Sequence, residues 1–242
     1  MTDQTSEGLV APLAWDTEFW GRRAARVFAD DRTGLARAIE ICDRSGIEWA
    51  SLLVSADDVS LLTEAIRRGF SLVDVRYDMI ARLSSGGEDP GSSFAHDDDV
   101  ELLAAIARTA FHTSRFFSDE YLPNERCEDF YETWLRNSLP GPMADLVIVD
   151  RSPAGPNGFV TVKFSDDAAS ASLPLVAVAP DRQGQGVGRR LLSATIETIR
   201  ARNVHEVHVA TQLSNTAAIR LYQSGGFALD RASFWLHRWD GR

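Results

Sequence analysis

Residues 173–192 read LPLVAVAPDRQGQGVGRRLL, and the rest of the chain is organised around them. Leu175 to Ala179 is an apolar run that suits a buried strand, and Pro180 ends it. Gly184, Gly186 and Gly188 follow at every second position, and Leu191, Leu192, Ile196 and Ile199 then come at helical spacing. A strand, a glycine-rich turn and a helix make a place for phosphate. Free N–H groups at a helix start carry partial positive charge outward, and glycines let the backbone approach an anion without a Cβ in the way. Two common forms of such a turn are excluded. The nucleotide P-loop needs Lys followed by Ser or Thr, which this turn lacks. In the dinucleotide fingerprint, counted from Gly184 and Gly186, the third glycine falls where Arg189 stands.

The 242 residues allow one large domain or two small ones, and 44% hydrophobic with 25% charged is an ordinary globular composition. A net charge of −10 argues against a nucleic-acid surface, which needs a basic stripe to displace counterions. Cys42 and Cys127 are too few for a disulfide framework, which favours a reducing, cytoplasmic setting. The polar, acidic start MTDQTSEGLV is unlike a signal peptide, and no apolar run approaches the ~20 residues of a membrane span.

Along the chain, Leu13 to Phe28 reads as strand, turn, strand. Leu35, Ala38, Ile39 and Cys42 mark one helix face, and Ile47 to Val54 a strand. Asp57 or Asp58 caps a helix carrying Val59, Leu62 and Ile66, and Phe70 to Leu83 is a long strand. Ser84 to Ser93 is linker-like and sets the domain boundary, with domains at 1–83 and 94–242. His96-Asp97-Asp98-Asp99 leads a helix with Leu103, Ala104 and Ala107; consecutive side chains diverge, so these acids read as a helix start rather than a metal site. His205 and His208, on opposite faces of a strand, are likewise not metal ligands.

A helix with Phe130, Tyr131, Trp134 and Leu135 follows, then strands at Ala144–Asp150, Gly158–Phe164 and Ala169–Ala179. After the loop and its helix come a strand at Glu206–Thr211, a helix at Asn215–Ser224 and a strand at Phe227–Trp239. This order predicts a mixed α/β (α+β) sheet with helices on both faces. Residues 47–70 also lie over 204–227, with Asp58 over Asn215, Ala65 over Tyr222, Gly69 over Gly226 and Phe70 over Phe227. The first third then reads as a truncated copy that lacks the glycine loop, binds no cofactor and completes a substrate cleft.

Asn215, Ala218, Ile219 and Tyr222 share one helix face and can follow one extended ligand. Transfer of an acyl group from a thioester to an amine needs a proton acceptor for the amine, a donor to the carbonyl oxygen and an acid for the leaving thiolate. A tyrosine hydroxyl, with an unperturbed pKa of about 10, is a reasonable donor to a thiolate whose conjugate acid lies near about 8.5. Tyr222 is the candidate acid. A backbone N–H near Val176 or Val178 polarises the carbonyl if neighbouring strands splay there.

Gln183-Gly184-Gln185-Gly186-Val187-Gly188 matches the pyrophosphate loop [R/Q]xxGx[G/A] of acyl-CoA-dependent N-acetyltransferases, and Asn215–Phe227 (NTAAIRLYQSGGF) matches their NxxAxxxYxxxGF segment. Residues 94–242 thus resemble the GNAT superfamily. The resemblance implies the GNAT fold, acetyl-CoA held by Val176, Val178, the 183–188 loop and Asn215 on the pantetheine arm, and Tyr222 as general acid; no metal is implied.

Pro12–Gly21, Gly69–Asp74, Ser114–Phe116, Phe130–Trp134 and Val209–Gln212 through Gly225 further resemble a narrower group, the bacterial enzymes that acetylate a dTDP-linked 4-amino-4,6-dideoxy sugar. That resemblance spans nearly the whole chain. It implies a nucleotide amino sugar as substrate and Asp74 as a base acting through water, one methylene shorter than the glutamate alternative. Arg115 suits the substrate diphosphate, because a guanidinium pairs bidentately with phosphate, and Tyr121 can flank the sugar or base. The loop's Gln183 form, the longer linker and the polar N-terminus depart from this narrower group. Other amines (an antibiotic, a polyamine, a peptide N-terminus) and a non-catalytic acyl-CoA-binding role stay open, as does assembly, a homodimer included.

Overall fold

The computed structural model describes residues 8–84, 86–87, 91–139 and 141–241, so the polar residues 1–7 and positions 85 and 88–90 of the predicted linker lie outside the described residues. The chain packs as two units. The first is the chain up to Arg76, Ser118–Tyr121 and the chain from Arg231 on; the second is Tyr77–Phe117 with Leu122–Asp230.

The first unit contains β1 (Val10–Pro12), α1 (Ala14–Trp20), β2 (Ala24–Val27), α2 (Arg32–Arg44), β3 (Trp49–Ser55), α3 (Val59–Arg67) and the start of β4 (Ser71–Arg82). The segment predicted as strand, turn, strand is instead helix then strand. Trp15 and Phe19, one turn apart, stack at 5.9 Å, and Gly21 ends the helix at φ 64°, its N–H bonded to Thr17 O. α2 buries Leu35, Ala38 and Cys42 as expected. α3 buries Leu61 and Ala65; of the face read from sequence, Leu62 packs against the core while Val59 and Ile66 are exposed, so the buried stripe is rotated from the predicted one. These residues join Leu52, Val54, Phe70 and Leu236 in one core.

The strands of this unit run β1, β2, β3 and then the C-terminal strand β10 (Ala228–Trp239), whose residues Ser233–Trp239 pair antiparallel with Ser55–Trp49. Buried in this unit, Asp119 accepts from Trp239 Nε1 (3.0 Å) and the Tyr121 N–H (3.0 Å), and its carboxylate meets His237 Nδ1 at 2.6 Å. Trp49 stacks on Trp239 at 5.5 Å beside them.

The second unit contains α4 (Val100–Ala110), α5 (Asn124–Arg136), β5 (Leu146–Ser152), β6 (Gly155–Phe164), β7 (Ser170–Ser172), β8 (Val176–Val178), α6 (Val187–Arg200), β9 (Glu206–Gln212) and α7 (Thr216–Ser224). The Tyr77–Arg82 half of β4 is followed across the sheet by β9, β7, β6 and β5, while β8 pairs with β6 alone among the described residues. The predicted strand Ala169–Ala179 is therefore two pieces. Ser170–Ser172 runs parallel to β9 and Leu173 gives a last bond to His208 O; beyond it β8 follows only β6. α6 turns Val187, Leu191, Leu192, Ile196 and Ile199 into the core against Val160, Val162, Val207 and Val209. Each such side chain contributes ~1.5–3 kcal/mol when fully buried.

The acids at 97–99 form a helical turn ahead of α4. Asp99 is buried, accepts from the His96 N–H at 2.7 Å and from Arg151 Nη1 at 2.6 Å, and so serves as a packed anchor.

Matching local bonds surround α3 in the first unit and α7 in the second. Asp58 Oδ1 caps α3 by accepting from the Leu61 N–H (2.8 Å), and Asn215 Oδ1 caps α7 by accepting from the Ala218 N–H (3.1 Å). Gly69 and Gly226 end those helices at φ 86° and 87°. The Phe70 N–H reaches Ala65 O at 3.0 Å, and the Phe227 N–H reaches Tyr222 O at 3.1 Å. Leu83 N–H to His205 O (2.8 Å) closes the strand pairing of one unit as Asp240 N–H to Glu48 O (2.9 Å) closes that of the other.

Candidate active site

The glycine turn lies between a 3-10 turn, Pro180–Arg182, and α6. Gly184 and Gly186 sit at φ 73° and 77°, in the left-handed region that an L side chain enters only at a cost of ~1–2 kcal/mol. Gly188 is small for another reason: a Cβ there would meet Leu221 Cδ2 at 3.1 Å, where α6 approaches α7. α6 has no side-chain cap, in contrast to α2, α3 and α7, which Asp31, Asp58 and Asn215 cap. Its first internal bond is Arg190 N–H to Gly186 O at 3.0 Å, so the amides of Val187, Gly188 and Arg189 precede any acceptor within the helix. The turn thus opens a helix N-terminus to an anion.

A cleft of about 360 Å³ begins at this turn, in the size range of small-ligand sites. One wall is β8. The Leu175 carbonyl and the Ala179 N–H bond to β6, so by strand alternation the amides of Val176 and Val178 face the opposite edge, where the sheet has parted from β9. The other wall is α7, from which Asn215, Ala218 and Tyr222 line the cleft. Tyr222 is 4% exposed, its ring 5.8 Å from Phe227, and burial pushes its phenol well above the ordinary tyrosine range.

Of the residues singled out by sequence, Val176, Val178, Gln183, Gly184, Gly186, Val187, Gly188, Asn215 and Tyr222 meet in this cleft. Gln185 does not line it: its Nε2 donates to Asp181 O at 2.8 Å and its backbone carbonyl accepts from Arg190 Nη1 at 3.1 Å. Gln183 Nε2 reaches Val178 O at 3.5 Å. Asn215 spends its carboxamide oxygen on the helix cap, which leaves its NH₂ as the donor end. Arg115 lies in the α4–α5 connection with its guanidinium 4.5 Å from the Phe116 ring centre. Asp74 on β4 and Tyr121, whose ring is 5.7 Å from Trp239, belong to the first unit.

Arg182, Ala217, Leu221 and Ala110 also line the cleft and were not singled out from sequence. Arg182 adjoins the motif and Leu221 follows Ala218 by one turn, so both had a signal. Ala110, at the end of α4, had none. Among the described residues no group of three or more His, Cys, Asp or Glu is arranged to hold a metal ion. Among the described residues no helix is long and apolar enough to cross a membrane.

Residues 113–227 match the sequence model of the Acetyltransferase (GNAT) family, a range that begins just after α4 and ends at Phe227 beyond the cleft helix. The chain carries a GNAT acetyltransferase domain and has the GNAT fold, and enzymes of this family use acetyl-CoA. The uncapped α6 and the parted edge of β8 fit that ligand's diphosphate and extended amide arm.

Among named relatives, dTDP-fucosamine acetyltransferase of Escherichia coli O6:H1 is 27% identical over 230 residues, covering 95% of this chain and 97% of that one. The spore coat polysaccharide biosynthesis protein SpsD of Bacillus subtilis is 32% identical over 144 residues, which are 60% of this chain and 49% of that protein. A GCN5-related N-acetyltransferase from Sphaerobacter thermophilus superposes with a TM-score of 0.62 at 16% identity, over 95% of this chain and 76% of the other. A tandem GNAT protein from the clavulanic acid biosynthesis pathway superposes with a TM-score of 0.57 at 14% identity, over 92% and 77%.

Proposed function

We propose that this enzyme moves the acetyl group of acetyl-CoA to the amine of a nucleotide-linked 4-amino-4,6-dideoxy sugar by direct attack, with Tyr222 as general acid. The observation that carries the reading is the cleft: an uncapped helix start, an outward-turned strand edge and a buried, protonated phenol on three walls. In this reading the Val187–Arg189 amides hold the diphosphate, the Gln183–Gly188 turn gives it room, and Asn215 donates to the pantetheine arm. An amide of Val176 or Val178 bonds the thioester carbonyl as negative charge develops there. Burial holds the proton on Tyr222 at neutral pH; the same dry site disfavours the departing thiolate and raises its demand for that proton.

Asp74 is the base of this proposal, taking the amine's proton through a water. Arg115 pairs with the substrate diphosphate and Tyr121 contacts the sugar or base. The sugar assignment is supported by the dTDP-fucosamine acetyltransferase likeness, which runs the length of both chains.

The first unit is proposed to be a reduced second copy of the GNAT fold. Its helix, cap and glycine bonds match those around α7, β2 pairs with β3 in the register that β7 keeps with β9, and the likeness to a tandem GNAT protein agrees. In that copy Asp31 accepts from the Gly34 N–H at 2.6 Å, so a carboxylate already fills the helix start that the anion takes in the other, and Ala65 stands at the tyrosine position. It is expected to hold no coenzyme and to serve acceptor binding.

The test is thiol release from acetyl-CoA with a panel of amines. Turnover with a nucleotide-linked 4-amino sugar at a kcat/KM at least 100-fold above polyamines, aminoglycosides and peptide N-termini is expected. Preference for one of the other amines overturns the sugar assignment. Coenzyme binding without turnover on any amine favours a binding module.

A further inference from the structure

The anion turn is held from behind by a chain of polar contacts that the proposed chemistry does not use. Arg190, in the first turn of α6, grips Asp150 with two nitrogens, Nε to Oδ1 at 2.7 Å and Nη2 to Oδ2 at 3.0 Å. Its third nitrogen, Nη1, donates to the carbonyl of Gln185 at 3.1 Å. Asp150 stands near the end of β5, where the ladder to β6 shifts register between Asp150 and Arg151, an irregularity of the kind that re-aims a side chain. Its side chain is 12% exposed, and Oδ2 also accepts from Asn157 Nδ2 at 2.9 Å. The backbone carbonyl of Asn157 in turn accepts from the Ala179 N–H at 2.9 Å, at the end of β8. One belt of bonds therefore runs from the cleft strand through β6 and β5 to the turn.

The geometry points to a positioning role: we infer that Asp150 and Arg190 form a brace that aims the Gly186 amide at the coenzyme diphosphate. In a trans peptide the C=O of one residue and the N–H of the next point opposite ways, and no cis bond occurs among the described residues. Arg190 pulls the Gln185 carbonyl to its own side, which turns the Gly186 N–H the other way. Gly186 at φ 77° would otherwise be free to flip this peptide, since glycine pays no steric penalty in either orientation. Arg190 acts here as a three-point clamp. Its charge is already matched by Asp150, whose carboxyl is held below the ordinary range chiefly by this pair. A lysine, with one nitrogen, can make only part of the contact.

The inference rests on the proposed coenzyme site and has a sign that a charge effect does not. Asp150→Asn removes a negative charge near a polyanion, so electrostatics alone would tighten coenzyme binding; loss of the brace weakens it. The experiment is calorimetric titration of coenzyme A into the wild type, Asp150→Asn, Arg190→Gln and the double variant, with thermal melts as a fold control and steady-state kinetics beside them.

Asp150→Asn and Arg190→Gln are each expected to weaken coenzyme A about 10-fold, the scale of one charge-assisted or ligand hydrogen bond. The double variant should be no weaker than either single, acetyl-CoA KM should rise by the same factor, and kcat at saturation and the acceptor KM should stay within about two-fold. Arg190 is more than half exposed, so Arg190→Gln reports even where Asp150→Asn perturbs folding. Wild-type binding with equal or tighter binding by Asp150→Asn overturns the brace alone, and so do additive losses in the double variant. A wild type that does not bind coenzyme A overturns the cleft assignment and the brace with it.

Discussion

Tyr222→Phe is the sharpest test of the chemistry. The substitution keeps the ring, which packs 5.8 Å from Phe227 in the second unit's core, and removes one oxygen. Stability should change by less than ~1 kcal/mol, because no core volume is lost. Coenzyme A affinity should hold, since the amides of α6 and β8 are untouched. A positioned general acid contributes roughly 10²–10⁴ in rate, or about 3–5 kcal/mol, so kcat should fall at least about 100-fold.

The pH profile adds a second readout. Burial raises this phenol above its usual value of about 10, so it stays protonated through the neutral and mildly alkaline range and the wild-type kcat should show no Tyr222 limb below about pH 10. The raised value also sets a stability sign: the contribution is whole below the unfolded pKa of about 10 and drains away as pH rises toward the folded one. The assay is thiol release at saturating acetyl-CoA from pH 6 to 10, for wild type and Tyr222→Phe, alongside urea unfolding at the same pH values. A Phe variant within two-fold of wild type discards Tyr222 as the acid. A basic limb near pH 9 in the wild type that vanishes in the variant refutes the claim that burial protects the proton.

Gly186→Ala should cost ~1–2 kcal/mol, because Arg190 Nη1 lies 3.5 Å from the new Cβ and only the φ of 77° resists; a Tm drop of several degrees with weaker coenzyme A binding is the check. Asp119→Ala strips the buried His237 and Trp239 Nε1 of their acceptor and should lose about 3–5 kcal/mol in urea unfolding; a loss under 1 kcal/mol would show that water replaces the carboxylate. Burial acts to raise the Asp119 pKa and is the largest influence, but bonds from His237, Tyr121 N–H and Trp239 outweigh it and leave it lowered. Its stabilisation is therefore present above about pH 3.9 and disappears as pH falls through the folded value, which acid titration of the unfolding midpoint can follow. Cys42, fully buried with its thiol pushed up to about 11, should resist a thiol reagent at pH 8 until the protein is unfolded.

The sequence by itself determined the glycine turn between strand and helix. Alternating glycines after an apolar strand, before Leu191, Leu192, Ile196 and Ile199, leave little else for residues 173–192 to be, and α6 buries all four side chains. It also determined Tyr222 and Asn215 as partners on one helix face, because helical spacing is a local property. Local pattern misled where burial was decided from outside. Trp15 to Trp20 has the aromatics of a strand yet closes a helical turn on Gly21, and α3 shows solvent two of the residues, Val59 and Ile66, that its spacing marked as core.

Only the tertiary structure decided the parting of β8 from β9, since strand pairing depends on partners more than thirty residues apart and leaves no local mark. It decided that β10, last in the chain, completes the sheet of the first unit beside β3. It alone set Asp150 against Arg190, forty residues on, because a side chain's reach across a sheet is fixed by register and not by composition.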